Sequence, residues 1–121
     1  MLSSAESLDV RPLTRLFRAL GDETRLRIVA LLSHGELCVC HLEKALDLNQ
    51  SNASRQLGIL KVSGVVDSRR EGTWVYYSVS RQEHEVVAKA LAVLTKTFGA
   101  ERALERDHVK LVKSCGPDAC C

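Results

Sequence analysis

Two thiols one residue apart, Cys38-Val39-Cys40, carry the sharpest chemical signal in this 121-residue chain. Thiolate sulfur is a soft donor and selects soft or borderline ions over hard ones. Two residues apart on a regular helix, side chains point about 200° away from each other. Both sulfurs can therefore close on one ion only if the first turn of a helix there distorts or unwinds. Two cysteines can also fill a core as small apolar side chains, but Glu36 and His41 beside them favour a polar surface. Cys115, Cys120 and Cys121 are the remaining thiols, gathered in the terminal SCGPDACC. They could complete the first site, form a separate three-thiolate site, or be redox-active or incidental. Among the histidines, His34 and His41 read as surface residues; His41 has a weak claim to ligate zinc or cadmium held by the pair.

Composition limits what surrounds these thiols. The length suits one domain, and 45% hydrophobic residues suit a folded core. So small a core gains from pairing with a second copy. No apolar run approaches the ~20 residues that cross a bilayer, and MLSSAESLDVRP has neither the basic nor the apolar region of a secretory signal. A cytoplasmic protein without a membrane partner is expected, with its thiols reduced. Five cysteines then read as ligands or redox groups, and an odd number cannot all pair within one chain. The net charge of +2 is too small to argue for nucleic acid by itself.

The elements that must position the thiols can be read in order. Pro12 opens a helix striped by Leu13, Leu16, Phe17 and Leu20. Gly21 stops it, and Asp22 caps a second helix with Leu26, Val29 and Leu32 as its core. Ser33-His34-Gly35 is a break. A short third helix spans about Val39 to Leu46, and Asn49 caps a fourth through Val62. Two β-type runs, Val65 to Arg69 and Trp74 to Val79, make a hairpin across Arg70-Glu71-Gly72-Thr73. Val87, Leu91, Leu94 and Phe98 stripe a long helix, Gly99 interrupts it, and a charged helix covers roughly Ala100 to Lys113. Residues 1–114 form one domain in this reading, and 115–121 a flexible cysteine-rich tail.

Two short helices, a tight turn and a hairpin give the order of a winged helix-turn-helix: mainly α with a small β-hairpin. On the fourth helix Ala53, Leu57 and Leu60 share the inward side. Ser51, Ser54, Arg55 and Gly58 face outward, with Gln50 at the N-terminal end. Those side chains suit base edges and phosphates, and Gly58 lets the backbone approach the groove. An ordinary solvated face would carry more Glu and Lys. Arg69 and Arg70, near the hairpin tip, are placed for neighbouring phosphates. Trp74, Tyr76 and Tyr77 read as strand packing. If the third helix supports the fourth, an ion on Cys38 and Cys40 would strain that scaffold and misplace Ser51, Ser54 and Arg55.

LFRALGDETRLRIVALL, ELCVCHLEKAL, NQSNASRQLGILKVSGVV and RREGTWVYYSV resemble consecutive blocks of the ArsR/SmtB family of metal-responsive repressors, in order over roughly residues 12 to 98. ELCVC is similar to its arsenic-responsive members. The resemblance implies a homodimer on double-stranded operator DNA with inverted-repeat symmetry, its pairing surface made by the first and long helices. It implies release on binding trivalent arsenic or antimony as inducer, with no permanent cofactor. Arsenic-responsive members often carry a third Cys three residues after the pair, where this chain has Glu43. Other members hold zinc or cobalt on the long helix through an Asp and His set. Here His84 with Glu83 and Glu85, and distant His108, give an incomplete version, since such a site takes about four ligands. His84 reads instead as an exposed helix-start residue.

Cadmium, lead or zinc could be the inducer instead, or the thiols could sense oxidation. A helical Cys-x-Cys is awkward for a disulfide by the same directional argument. A thiol metal carrier or oxidoreductase would show Cys-x-x-Cys at a helix start in a βαβ unit, which this chain lacks. Partnered nucleophiles, paired acids and a phosphate-binding glycine loop are also missing, so an enzyme is not expected.

Overall fold

The computed structural model describes residues 9–114. Pro12 lies in the first turn of α1 (Arg11–Leu20), which buries Leu16, Ala19 and Leu20. Phe17, expected in the same stripe, stays 55% exposed. Asp22 caps α2 (Glu23–Leu32), its carboxylate accepting the Arg25 N–H at 3.0 Å. The expected core residues Val29 and Leu32 are buried, but so are Ile28, Ala30 and Leu31. Helix α2 has no polar face at its C-terminal half because α1, the two helices that follow and the C-terminal helix all pack against it.

After the Ser33–Gly35 turn comes an element that the sequence pattern did not announce. Leu37–Cys38 forms a short strand, β1, antiparallel to β3. It runs straight into α3 (Val39–Leu46). Asn49 caps α4 (Gln50–Val62) by accepting the Asn52 N–H at 2.8 Å. Ala53, Leu57 and Leu60 are fully buried as the helical period requires, joined by Gln56.

The hairpin is longer than expected. Strands β2 (Val66–Glu71) and β3 (Trp74–Val79) pair down to Glu71–Trp74. Arg70 and Glu71 are thus strand residues, and only Gly72 and Thr73 form the loop. Gly72 takes φ 63°, a conformation glycine adopts without a Cβ penalty. With β1 the wing becomes a three-stranded sheet, order β1-β3-β2. The α3–α4 pair followed by this sheet is a winged helix-turn-helix.

His84 caps α5 (Glu85–Thr97), its Nδ1 accepting the Val87 N–H at 3.4 Å. A turn of 3₁₀ helix at Phe98–Ala100 holds Gly99, the expected interruption. Helix α6 (Arg102–Ser114) then docks on α2 and α3. Leu104, Asp107 and Leu111 form its buried stripe. Both Asp107 oxygens accept from the Arg27 guanidinium at 2.7 Å. The His108 ring stacks on His34, centroids 3.8 Å apart. Asp107 is only 7% exposed and Arg27 30%, so removing the acid strands a half-buried cation. Asp107→Asn is expected to lower unfolding free energy by about 2 kcal/mol, below the usual cost of breaking a fully buried pair. That corresponds to a fall of roughly 8 °C in Tm, readable by circular dichroism; an unchanged Tm would deny α6 its anchoring role.

Candidate thiol site and nucleic-acid interface

Cys38 ends β1 and caps α3, with extended backbone at φ −84° and ψ 163°. It is therefore not a helical residue, and the argument that it must point away from Cys40 does not hold. The two sulfurs already lie 2.8 Å apart, beyond the disulfide bond length of about 2.05 Å. No unwinding is needed to bring them together.

Cys38 is 1% exposed and Cys40 half-buried. His41, expected at the surface, is 2% exposed. Its Nδ1 accepts the Cys38 N–H at 3.3 Å and lies 3.3 Å from the Cys38 sulfur. This imidazole thus fixes the turn that carries the thiols. A buried histidine was hidden in the sequence because nothing local shows what covers α3.

The pair opens onto a cleft of about 360 Å³. Its walls are Cys38, Cys40 and half-buried Glu43 on one side, Gln50 and Ser54 of α4 on another, and Trp74 at the wing. A soft ion entering here would touch the thiols within a space that the DNA-reading candidates also line. Cys115, Cys120 and Cys121 lie outside the described residues. Among the described residues, no three His, Cys, Asp or Glu side chains converge as a metal site. The His84 set is accordingly not assembled within one copy.

On α4, Gln50, Ser51, Ser54, Arg55 and Gly58 are all exposed. A Cβ at Gly58 would meet nothing within 4 Å, so the fold does not itself demand glycine there. Two residues behind this face escaped the sequence reading. Arg25 donates to the buried Gln56 side chain at 3.0 Å and to the Ala19 carbonyl at 2.6 Å. Gln56 in turn donates to Asn52 at 3.2 Å. This chain of bonds ties α2 to α4 and sets the rotation of the exposed face. The sole hint was a Gln at a position whose helical phase faces inward.

Strand alternation sends Arg69 and Arg70 to opposite faces of the wing. Arg69 is held by two carboxylates, bidentate to Glu36 at 2.6 and 2.7 Å and to Glu71 at 2.7 Å. It also lies 4.6 Å over the Tyr76 ring. Hydrogen bonding to Arg69 lowers the Glu36 pKa and, reciprocally, Glu36 and then Glu71 raise that of Arg69. The charge expected to meet phosphate is thus already compensated within the chain. Arg70, exposed and without an ion pair among the described residues, shares the face of Val75 and Tyr77, which line the cleft beside α4. Trp74, expected to pack, is 44% exposed.

Large apolar side chains also remain uncovered on α1 and α5, which pack together. Phe17 is 55% and Val93 62% exposed, with Val10 and Val86 nearby in sequence on the same two segments. Singly such residues are ordinary, and α4 and α6 expose others, Val62 at 89% and Val112 at 51%.

Comparison with known proteins agrees with this geometry. Residues 22–68 match the family described as bacterial regulatory protein, arsR family. The arsenical resistance operon repressor of Escherichia coli K12 is 54% identical over 67 residues, 54% of this chain and 57% of that one. A cadmium resistance transcriptional regulatory protein homolog of Staphylococcus aureus is 39% identical over 92 residues, covering 74% and 73%. The solution structure of the homodimeric winged helix-turn-helix DNA-binding domain Mb0332 of Mycobacterium bovis superposes with TM-score 0.62 at 34% identity, covering 84% of this chain and 94% of that one. The chain spans about half the length of the arsenic-resistance regulators it matches. No helix among the described residues is long and apolar enough to cross a membrane. Taken with the α3–α4 pair and its wing, these matches make the chain a member of the arsR family of bacterial regulatory proteins.

Proposed function

We propose that this chain is a homodimeric repressor that holds inverted-repeat operator DNA through α4 and the wing, and releases it when trivalent arsenic or antimony bridges Cys38 and Cys40. The observation that carries the reading is the 2.8 Å separation of two sulfurs in a cleft shared with Gln50 and Ser54. A soft ion with bonds near 2.3 Å would spread the sulfurs to roughly 3.4–3.8 Å. That displacement, together with the volume of the ion, acts on α4 across the cleft. Ser51, Ser54 and Arg55 then lose register with the bases while Arg70 loses its phosphate. Two relatives named for arsenical and cadmium resistance support a soft-ion inducer, with cadmium, lead and zinc as alternatives. The uncovered faces of α1 and α5 support the dimer, whose reading helices would enter successive major grooves about 34–36 Å apart.

Trivalent arsenic prefers three sulfur donors, and Glu43 is a hard one. Tail thiols are the remaining source. Leu111 and Val112, near the end of α6, line a cleft with Glu36 and Leu37, the neighbours of Cys38. From Ser114 the chain can extend up to roughly 23 Å to Cys121 and about 20 Å to Cys120, but only about 4 Å to Cys115, so Cys120 and Cys121 have the longer reach. Truncation after Ser114 is expected to weaken arsenite binding at least tenfold by isothermal titration; unchanged affinity would exclude the tail.

A redox reading is favoured by the same distance, since 2.8 Å leaves the sulfurs poised for a disulfide. Gel retardation on an inverted-repeat duplex separates the two. Release by arsenite in the presence of a monothiol reductant supports the inducer reading. Release by peroxide alone, reversed by reductant, replaces it with the redox one, and a chain that never retards DNA refutes both.

A further inference from the structure

Resting on the function just proposed, we infer that Glu36 and Arg69 are positioning residues that couple the thiol pair to the wing. Strand β1 belongs to the same sheet as the hairpin. Cys38 stands directly opposite Tyr76, and Tyr76 directly opposite Arg69, so one cross-strand row runs from the thiol to β2. The backbone attachment of β1 is only two residue pairs, Leu37 to Tyr77 and Cys38 to Tyr76. So short a ladder is a weak lever. Glu36, the residue before β1, reaches past β3 and grips Arg69 through both carboxylate oxygens. It spans all three strands, and the guanidinium is further fixed by Glu71 and the Tyr76 ring.

Exposed ion pairs contribute little to stability, and Arg69 and Glu36 are 51% and 34% exposed. What a bidentate fork supplies is direction: it admits one relative placement of the two groups. A shift of Cys38 on binding an ion therefore moves Glu36, and Glu36 moves β2 with the loop and Arg70 attached. Without the fork, β1 could yield alone and leave the wing where DNA holds it. The pair acts on the transmission between two sites and on neither site itself.

The quantity that reports transmission is the ratio of operator Kd with saturating arsenite to Kd without it, expected between about 5 and 150 for a coupling of ordinary size. Fluorescence anisotropy of the full chain gives both values, and thiolate–arsenic absorbance gives the arsenite affinity. Glu36→Gln is expected to keep arsenite binding and operator binding, the latter unchanged or tighter as Arg69 loses one of its two compensating carboxylates, while the ratio falls about fivefold. Arg69→Lys keeps the wing's charge but not the fork, so it should reduce the ratio similarly. A merely structural pair would move Tm and leave the ratio alone. Ratios equal to wild type in both variants would overturn the coupling role while the inducer reading stands. A wild-type ratio of one would overturn both.

Discussion

A chain carrying Cys38→Ser and Cys40→Ser together should bind operator as tightly as wild type and keep it at arsenite concentrations at least a hundredfold above those that empty the wild-type complex. Serine is close in size to cysteine and is a preferred residue at a helix N-cap, the place that Cys38 occupies. The fold around α3 therefore survives the change. What is lost is the soft donor pair: a hydroxyl is a hard, neutral ligand with little affinity for thiophilic ions. Outer-shell partners of metal ligands are already worth about 10–100-fold in affinity, so removal of the inner ligands themselves sets the lower bound. Cys40→Ser alone should behave nearly as badly, since one remaining thiolate forfeits the advantage of two sulfurs held side by side. Titration of a labelled operator complex with arsenite, read by anisotropy, checks both. Release of the double variant at wild-type concentrations would move the inducer site elsewhere in the chain.

The second large effect concerns the reading face. Arg55 is exposed on α4, donates to the Asn52 side chain at 3.4 Å, and has no ion pair among the described residues. It is free to make a bidentate contact with a guanine edge, worth about 1–3 kcal/mol of discrimination. Arg55→Ala should accordingly lower operator affinity by roughly 5–150-fold and affinity for random duplex far less. Arg70→Ala should reduce both alike and decrease the salt slope by about 1, as the loss of one phosphate contact requires. Competition binding at two salt concentrations separates these patterns. Equal losses on both duplexes for Arg55→Ala would strip it of a base-reading role. The assignment of phosphate contact to Arg70 rather than Arg69 follows from the carboxylates around the latter.

Local signals made much of this legible before any coordinates. Asp22 and Asn49 announce two helix starts because a side-chain oxygen placed before an apolar run satisfies free amides there. Ala53, Leu57 and Leu60 fix which side of α4 is inward, and so which residues face outward. What failed depends on partners distant in sequence. Strand β1 has two residues, too few for any periodicity, and is defined by β3 almost forty positions away. Without it Cys38 looks like the first turn of a helix, and the thiols look opposed. The buried state of His41 and Gln56 likewise depends on what packs over them. Arg69 seemed available to DNA since Glu36 lies 33 positions earlier, beyond any local pattern. The thiol pair itself was found by residue type, whereas its geometry needed the sheet.

In the proposed mechanism, one ion on Cys38 and Cys40 and one operator compete for the same chain. Arsenite affinity should be measured on the free protein and again on the operator-bound protein, by equilibrium dialysis of the full chain. Linkage requires that the DNA-bound form bind arsenite more weakly, by the same factor that arsenite weakens DNA binding. Equal affinity in the two forms would contradict the account, however tightly the ion is held.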